Sequence, residues 1–388
     1  MFVIETLDKI SPIGMDIFDK GKFACEAEVE NPNGIMVRSS SMHEKVLPKS
    51  LKAIARAGAG VNNIPIEACS EKGIVVFNTP GANANGVKEL TIFGLFLAAR
   101  KVFPGMSWVQ TLAGESDVPK LVEKGKGAFA GPEIKGKKLG VIGLGSIGIQ
   151  VANAAISLGM EVYGYDPFLS VDSAWQLSRG VKHAAALREV YQNCDFNTLH
   201  LHLTANTKEM INAESIGIMK HGVRILTFAR GELVENNDIL AAIEERQVRC
   251  YVTDFPNEQL LGKDGVLAIP HLGASTPESE DNCAVMAAEQ MVDYLENGNI
   301  KNSVNFPDVS VPRAAGVRVG VMHKNIPAMI AGISNAFSEA GINIDTLTNK
   351  SKKDLAYTML DIVDGDVNEA LVAAISAIEG VIRVNIYR

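Results

Sequence analysis

The sequence predicts an α/β protein of three units, two built on parallel sheets and a third, smaller one of βαββαβ order. Three observations predict this. Short apolar runs alternate with helix-period stretches over the first three quarters of the chain. A strand-like run opens directly into a Gly143-Leu-Gly145-Ser-Ile-Gly148 turn and a helix. Past a connector rich in Asn and Pro, a compact stretch reads strand, helix, strand, strand, helix, strand.

Taken in order, residues 34–37, 51–55 and 74–77 are short apolar runs bounded by turn residues, and read as buried strands. Residues 87–102 turn helical, with Leu90, Phe93, Leu97 and Ala98 expected on one face. A strand at 138–142 enters the glycine turn, a helix runs to about Leu158, and a strand follows at 161–165. Further strands are expected at 197–201, 223–228 and 249–253, with a helix at 237–245 between the last two. That succession fits a doubly wound parallel sheet. A long helix at 277–296 is expected to return the chain to the first unit, and residues 297–313 read as a linker. The third unit is expected as strand 317–322, helix 327–340, strands 342–348 and 356–362, helix 367–379 and strand 381–386. Ile330, Ile333, Phe337 and Ala340 would line the first helix, and Leu371, Ala374, Ile375 and Ile378 the second.

Composition narrows the function. The 388 residues are 47% hydrophobic with a formal charge of −8, ordinary for a folded protein and without the basic excess of a nucleic-acid binder. An anionic substrate must then be held by local positive groups. No apolar run is long enough to span a bilayer, and the N-terminal residues lack a secretion signal, so a cytoplasmic location is expected. Five scattered cysteines without metal spacing read as reduced core thiols, and no metal site is expected.

The glycine turn carries the first chemistry. Gly143 permits the tight turn, Gly145 lets backbone approach a pyrophosphate, and Gly148 allows close helix–strand packing. Phosphates would lie at the helix N-terminus, where free N–H groups favour negative charge. Asp166 ends the next strand, 18 residues beyond Gly148. A carboxylate there accepts ribose hydroxyls and repels a 2′-phosphate, which points to NAD on a Rossmann-type domain.

Three later segments supply groups that oxidation of a 2-hydroxy acid needs. Arg230 offers a planar fork for a carboxylate. His271 can take the hydroxyl proton as hydride leaves. Glu258 can hydrogen-bond the imidazole and fix its tautomer. Each alone has a plainer reading, a surface ion pair, a solvated acid or a helix cap; together, downstream of a dinucleotide turn, they point to catalysis.

Several motifs carry a resemblance over nearly the whole chain: Val37-Arg-Ser39, Arg56-Ala-Gly-Ala-Gly-Val-Asn-Asn63, Asn78-Thr-Pro-Gly81, the glycine turn with Asp166, Ala229-Arg-Gly231, Phe255-Pro-Asn-Glu258 and His271-Leu-Gly-Ala-Ser-Thr276. With these the chain resembles the D-2-hydroxyacid dehydrogenase family, most closely those members that oxidise 3-phosphoglycerate. The resemblance implies a catalytic set of Arg230, Glu258 and His271. It implies cofactor contacts at Gly143, Gly145, Ser146, Ile147, Gly148, Asp166, His200, Ala229, Asp254 and Gly273, and a substrate carboxylate on the backbone of Ala59-Gly60. Arg38 and Lys88 are the candidates for a substrate phosphate. The implied architecture is a discontinuous flavodoxin-like substrate domain (1–98 and 280–310), a Rossmann-type NAD domain (99–279) and a C-terminal regulatory domain (316–388).

There are departures. The stretch between Phe23 and Ile35 is short, so a helix is expected to be missing there. Where the family usually reads Asp-Val-Phe, this chain has Thr253-Asp254-Phe255, which puts the nicotinamide contact of Asp254 in question. His200-Leu-His202 replaces His-Thr-Pro. The last 70 or so residues resemble an ACT domain, a ferredoxin-like small-molecule sensor. His323-Lys-Asn325 at a strand-to-helix turn, with Asn343, implies an L-serine effector site and a homotetramer paired partly through these domains. Alternatives are a glyoxylate or hydroxypyruvate reductase, or a non-catalytic NAD-sensing interaction protein.

Overall fold

The computed structural model describes residues 1–314 and 316–388. The chain divides into two compact units, residues 1–83 with 280–388, and residues 84–279. The first unit opens with five parallel strands: β1 (Phe2–Leu7), β2 (Phe23–Glu26), β3 (Gly34–Val37), β4 (Ala53–Arg56) and β5 (Val75–Phe77), in the order β2-β1-β3-β4-β5. Strand β3 is buried along its whole length, as a parallel strand covered on both faces must be. Strand β1 escaped the sequence reading because Glu5 interrupts its apolar run; the structure buries Glu5 against Lys45 Nζ at 2.8 Å. No helix joins β2 to β3, as the short spacing led us to expect.

The helix Pro277–Asn297 gives this unit Ala284, Ala287, Ala288, Met291, Tyr294 and Leu295 for its core. The expected linker beyond it is ordered. Asn305 accepts from Val76 N (3.0 Å) and donates to Ile74 O (2.9 Å), closing the edge of the sheet beside β5.

The second unit holds β6 (Lys138–Ile142), β7 (Glu161–Tyr165), β8 (Lys182–His183), β9 (Phe196–Leu199), β10 (Val223–Thr227), β11 (Val248–Thr253) and β12 (Val266–Ala268). All are parallel, in the order β12-β11-β10-β9-β6-β7-β8, so strand order reverses between β6 and β9. Ligands of such sheets bind at the carboxyl ends beside that reversal.

The helix Ala84–Ala99 belongs to this unit, which moves the boundary from after residue 98 to between Asn83 and Ala84. Its packed face also differs from the expected one. Phe93 is 52% exposed, while Val87, Thr91, Gly94, Leu95 and Ala98 are buried. A Cβ on Gly94 would stand 2.9 Å from the Phe228 ring, so the smallest residues, not the largest, choose the contact face.

The C-terminal sheet belongs to the first unit. Its strands β13 (Val317–Lys324), β14 (Thr346–Lys352), β15 (Leu355–Ile362) and β16 (Val381–Tyr387) are antiparallel, in the ferredoxin-like order β14-β15-β13-β16. One face carries Val319, Val321, Leu360 and Ile362 against Ile333, Phe337, Leu371 and Ile375 of its two helices. Ile330, expected among them, is 43% exposed. Strand β14 begins at Thr346 rather than 342, four residues later than expected, after the chain leaves the preceding helix through Gly341 at φ +67°. Met322, Tyr357 and Met359 on the opposite face join the core formed by Ala53, Val75 and Tyr294. This domain is therefore fused into the first unit rather than tethered to it.

Candidate active site

The glycine turn sits at the end of β6, at the strand-order reversal. Gly143 has φ +92°, and a Cβ there would lie 2.5 Å from His200 O. A Cβ on Gly148 would stand 1.9 Å from Gly143 O, so only glycine lets the helix Ser146–Ser157 start this close to the strand. Nothing stands within 4 Å of a Cβ placed on Gly145, which leaves that face open to a ligand. Asp166 braces the turn: its Oδ2 accepts from Leu144 N and its Oδ1 from Phe168 N, both at 2.9 Å.

Across the reversal, His200 N donates to Ile142 O at 2.8 Å. Its Nε2 lies 3.1 Å from Thr198 Oγ1, and its Nδ1 is buried without a partner. Burial pushes this imidazole down to about 3, so it is neutral near pH 7. An open glycine, a braced carboxylate and an orphaned imidazole nitrogen are the features a dinucleotide would complete.

Arg230, Glu258 and His271, the expected catalytic set, follow β10, β11 and β12 respectively. Arg230 is exposed, with Nη1 donating to Ala229 O at 2.6 Å. His271 is exposed, and its ring lies 4.6 Å from that of Phe255. Glu258 is exposed, and no hydrogen bond or ion pair joins it to His271. The expected Glu258–imidazole bond is thus not made here: the turn Asn257–Leu261, closed by Asn257 Oδ1, leaves Glu258 in solvent. Asp254 is instead 1% exposed. Burial pushes its carboxyl above its ordinary value, while charge on His271, the backbone amides of Asp254 and Gly273 and, least, Arg230 draw it back. Gly273 is buried close by, a Cβ there standing 3.6 Å from Asp254 Oδ2. Sequence reasoning missed Phe255 as a neighbour of the histidine, since an aromatic beside a strand end carries no chemical signature.

In the first unit, Arg38 pairs with Glu280. The carboxylate of Asp8 accepts from the amides of Arg38, Ser39 and Ser40 and from Ser40 Oγ. Burial raises the carboxyl of Asp8, but the bonds from Ser40, Arg38 and Ser39 outweigh it and hold it below its ordinary value. Arg56 braces the neighbouring turn, donating from Nε to Arg38 O (3.0 Å) and from Nη1 to Gly60 O. Asn78 Nδ2 donates to Ala59 O at 2.7 Å. Among the described residues, the amides of Ala59 and Gly60 have no acceptor. Asp8 and Arg56 were not singled out from sequence; only the folded turn shows that they hold it. Lys88 belongs to the second unit, 3.7 Å from Glu89 Oε1.

In the C-terminal domain His323 is buried. Its Nδ1 donates to Lys324 O and its Nε2 lies 2.8 Å from Thr358 Oγ1, so both ring nitrogens are engaged. Asn325 Nδ2 donates to Lys353 O at 3.0 Å, and Asn343 is exposed. Of the five cysteines four are buried; Cys25 is exposed, against the expectation of core thiols throughout. No single helix among the described residues is long and apolar enough to cross a membrane.

Residues 93–273 match the family model of the D-isomer specific 2-hydroxyacid dehydrogenase NAD-binding domain. The D-3-phosphoglycerate dehydrogenase of Escherichia coli K12 is 33% identical over 349 residues, 86% of this chain and 81% of that protein. This chain belongs to the D-isomer specific 2-hydroxyacid dehydrogenases, among the D-3-phosphoglycerate dehydrogenases. The Methanocaldococcus jannaschii D-3-phosphoglycerate dehydrogenase is 37% identical over 291 residues, 73% of this chain, which spans about half (53%) of that relative. Among solved structures, an NAD+-bound 3-phosphoglycerate dehydrogenase from Entamoeba histolytica aligns with a TM-score of 0.60 at 29% identity, over 78% of this chain and 98% of that one. The family is NAD-dependent, and the open glycine turn, Asp166 and His200 suit that cofactor.

Proposed function

We propose that the protein oxidises D-3-phosphoglycerate to 3-phosphohydroxypyruvate with NAD, the entry step of L-serine synthesis, in the cytoplasm. The observation that carries this reading is that the exposed Arg230 and His271 follow β10 and β12 of the same parallel sheet whose β6 ends in the open glycine turn. NAD, when bound, supplies the hydride acceptor. The backbone of Gly143 to Gly148, with Ser146 and Ile147, would hold its pyrophosphate, and Asp166 its ribose. His200, Ala229, Gly273 and one oxygen of Asp254 would border its nicotinamide half.

Arg230 binds and orients the substrate carboxylate, helped by the free amides of Ala59 and Gly60. His271 takes the proton of the 2-hydroxyl as its hydride leaves, and returns it in the reverse direction. Glu258 would meet the imidazole only on substrate binding, since apo geometry is often looser than the working complex. Arg38 is the phosphate partner and would exchange Glu280 for the substrate, with Lys88 as a second cation. In the C-terminal domain His323 orders the turn, while Asn325, Asn343 and turn amides hold L-serine as an inhibitor of a homotetramer.

The test follows NADH oxidation with 3-phosphohydroxypyruvate, with and without millimolar L-serine. We expect serine-sensitive turnover in wild type, at least about 100-fold less in His271→Ala, and a KM for the keto acid raised selectively in Arg38→Ala. Turnover of glyoxylate or hydroxypyruvate alone would overturn the substrate assignment.

A further inference from the structure

We propose that Arg56 is a positioning residue that fixes the spacing between the two turns meant for the substrate's anionic ends, and so selects a keto acid charged at both ends. This rests on the reading of Arg38 as the phosphate partner and of Ala59-Gly60 as the carboxylate turn. Arg56 ends β4 directly opposite Val37, the last residue of β3, so its side chain starts between the two strand ends. From there one guanidinium reaches both turns. Its Nε donates to Arg38 O at 3.0 Å, and its Nη1 donates to Gly60 O. A guanidinium is planar and rigid, so two acceptors bonded to it are held at one separation and one angle.

Other bonds fasten each turn separately or join the two loops farther along. Asp8 takes the amides of Arg38, Ser39 and Ser40, while Asn78 Nδ2 donates to Ala59 O and Thr79 N to Gly58 O at 3.1 Å. Asn63 Nδ2 donates to Ser40 O at 2.9 Å, beyond the residues that would meet the substrate. Among the described residues, Arg56 is the one side chain bonded to both Arg38 and Gly60. Gly58 makes room for it: a Cβ there would stand 2.8 Å from Arg56 Nη1. Both bonds go to carbonyls rather than to an acid, so the guanidinium also adds positive potential where two anionic groups must settle. A carboxylate on the Ala59-Gly60 amides and a phosphate at Arg38 are then held at one span. A ligand with a single anionic end engages one turn and is indifferent to that span.

The test follows keto-acid reduction in wild type, Gly58→Ala, Arg56→Lys, Arg38→Ala and the double variant Arg38→Ala with Gly58→Ala. Gly58 does not have a positive φ, and its added methyl would meet only the tip of a flexible side chain, so the fold should survive. Gly58→Ala displaces the guanidinium and should raise KM for 3-phosphohydroxypyruvate at least about tenfold, with kcat changed less than about threefold. KM for NADH, and for hydroxypyruvate, which lacks the phosphate, should move less than about threefold. Arg56→Lys keeps the charge but loses the fork, and should behave like Gly58→Ala. In the Arg38→Ala background Gly58→Ala should add less than about threefold, because one end of the ligand is already free. If Gly58→Ala and Arg56→Lys keep the wild-type KM while Arg38→Ala raises it, the proposal fails and the reading of Arg38 stands. If Arg38→Ala changes nothing, or wild type does not turn over 3-phosphohydroxypyruvate, that reading and the proposal fall together. An equal rise in KM for both keto acids would mark a general disturbance of the fold and overturns the proposal, as does a wild-type KM in Arg56→Lys alone, which would assign Arg56 to charge and not to spacing.

Discussion

Gly148 shows how much a single hydrogen atom decides. A methyl group there would stand 1.9 Å from Gly143 O, a separation that backbone cannot tolerate, so the turn or the helix start must move. At Gly145 the same methyl would meet nothing in the protein. We therefore expect Gly148→Ala to cost about 1–3 kcal/mol of stability and to weaken NADH binding, both visible by thermal melting and fluorescence titration. Gly145→Ala should leave the melting temperature nearly unchanged and lower NADH affinity only, because its clash would be with the cofactor. Equal thermal loss in both variants would refute this division of roles. The glycine positions were legible from the sequence because the motif and its strand–helix setting fix backbone geometry. That Glu258 makes no bond to His271 was not legible, since a side chain five residues past a strand end goes where the loop sends it.

Among the elements, β13 and β15 are locked by one buried ion pair. Arg318 is fully buried, donating to Asp361 from Nε (2.6 Å) and Nη2 (2.9 Å). Its remaining donors go to Asn297 O (3.0 Å), Val311 O (3.1 Å) and Pro312 O (3.0 Å), so one guanidinium fastens the sheet to the segment that precedes it. Arg318→Met would leave Asp361 buried and unpaired, and should destabilise the protein by about 3–5 kcal/mol. Arg318→Met with Asp361→Leu should recover part of that loss, since both charges then disappear together. Urea denaturation of the two variants measures the difference; a double variant no better than the single one would refute the account. The sequence showed the two strands but not this pair, whose members are 43 residues apart. Similarly, the helix Ala84–Ala99 was recognised while its packed face was not, because its fit depends on Phe228 in another element.

At the scale of the whole molecule, the C-terminal domain shares its core with the first unit. Met322, Tyr357 and Met359 pack with Tyr294, Ala53 and Val75, Tyr357 Oη donates to Gly298 O at 2.9 Å, and Arg383 donates to Lys49 O at 2.8 Å. A chain truncated after residue 313 should therefore expose an apolar face and melt well below the full chain or aggregate. Calorimetry and size-exclusion chromatography would show this; a truncated chain as soluble and heat-resistant as the full one would contradict the shared core.

The sequence by itself determined the α/β class, the parallel sheets, the ferredoxin-like order of the last unit and the glycine turn that joins β6 to its helix. These follow from local rules: apolar periodicity and backbone freedom at glycine. Only the tertiary structure decided that the first boundary falls at Asn83, that the C-terminal sheet is built into the first unit, and that Asp254 is buried while Glu258 stands in solvent. Those outcomes depend on which distant side chains meet and how closely they pack, and no local pattern in the chain encodes such a meeting.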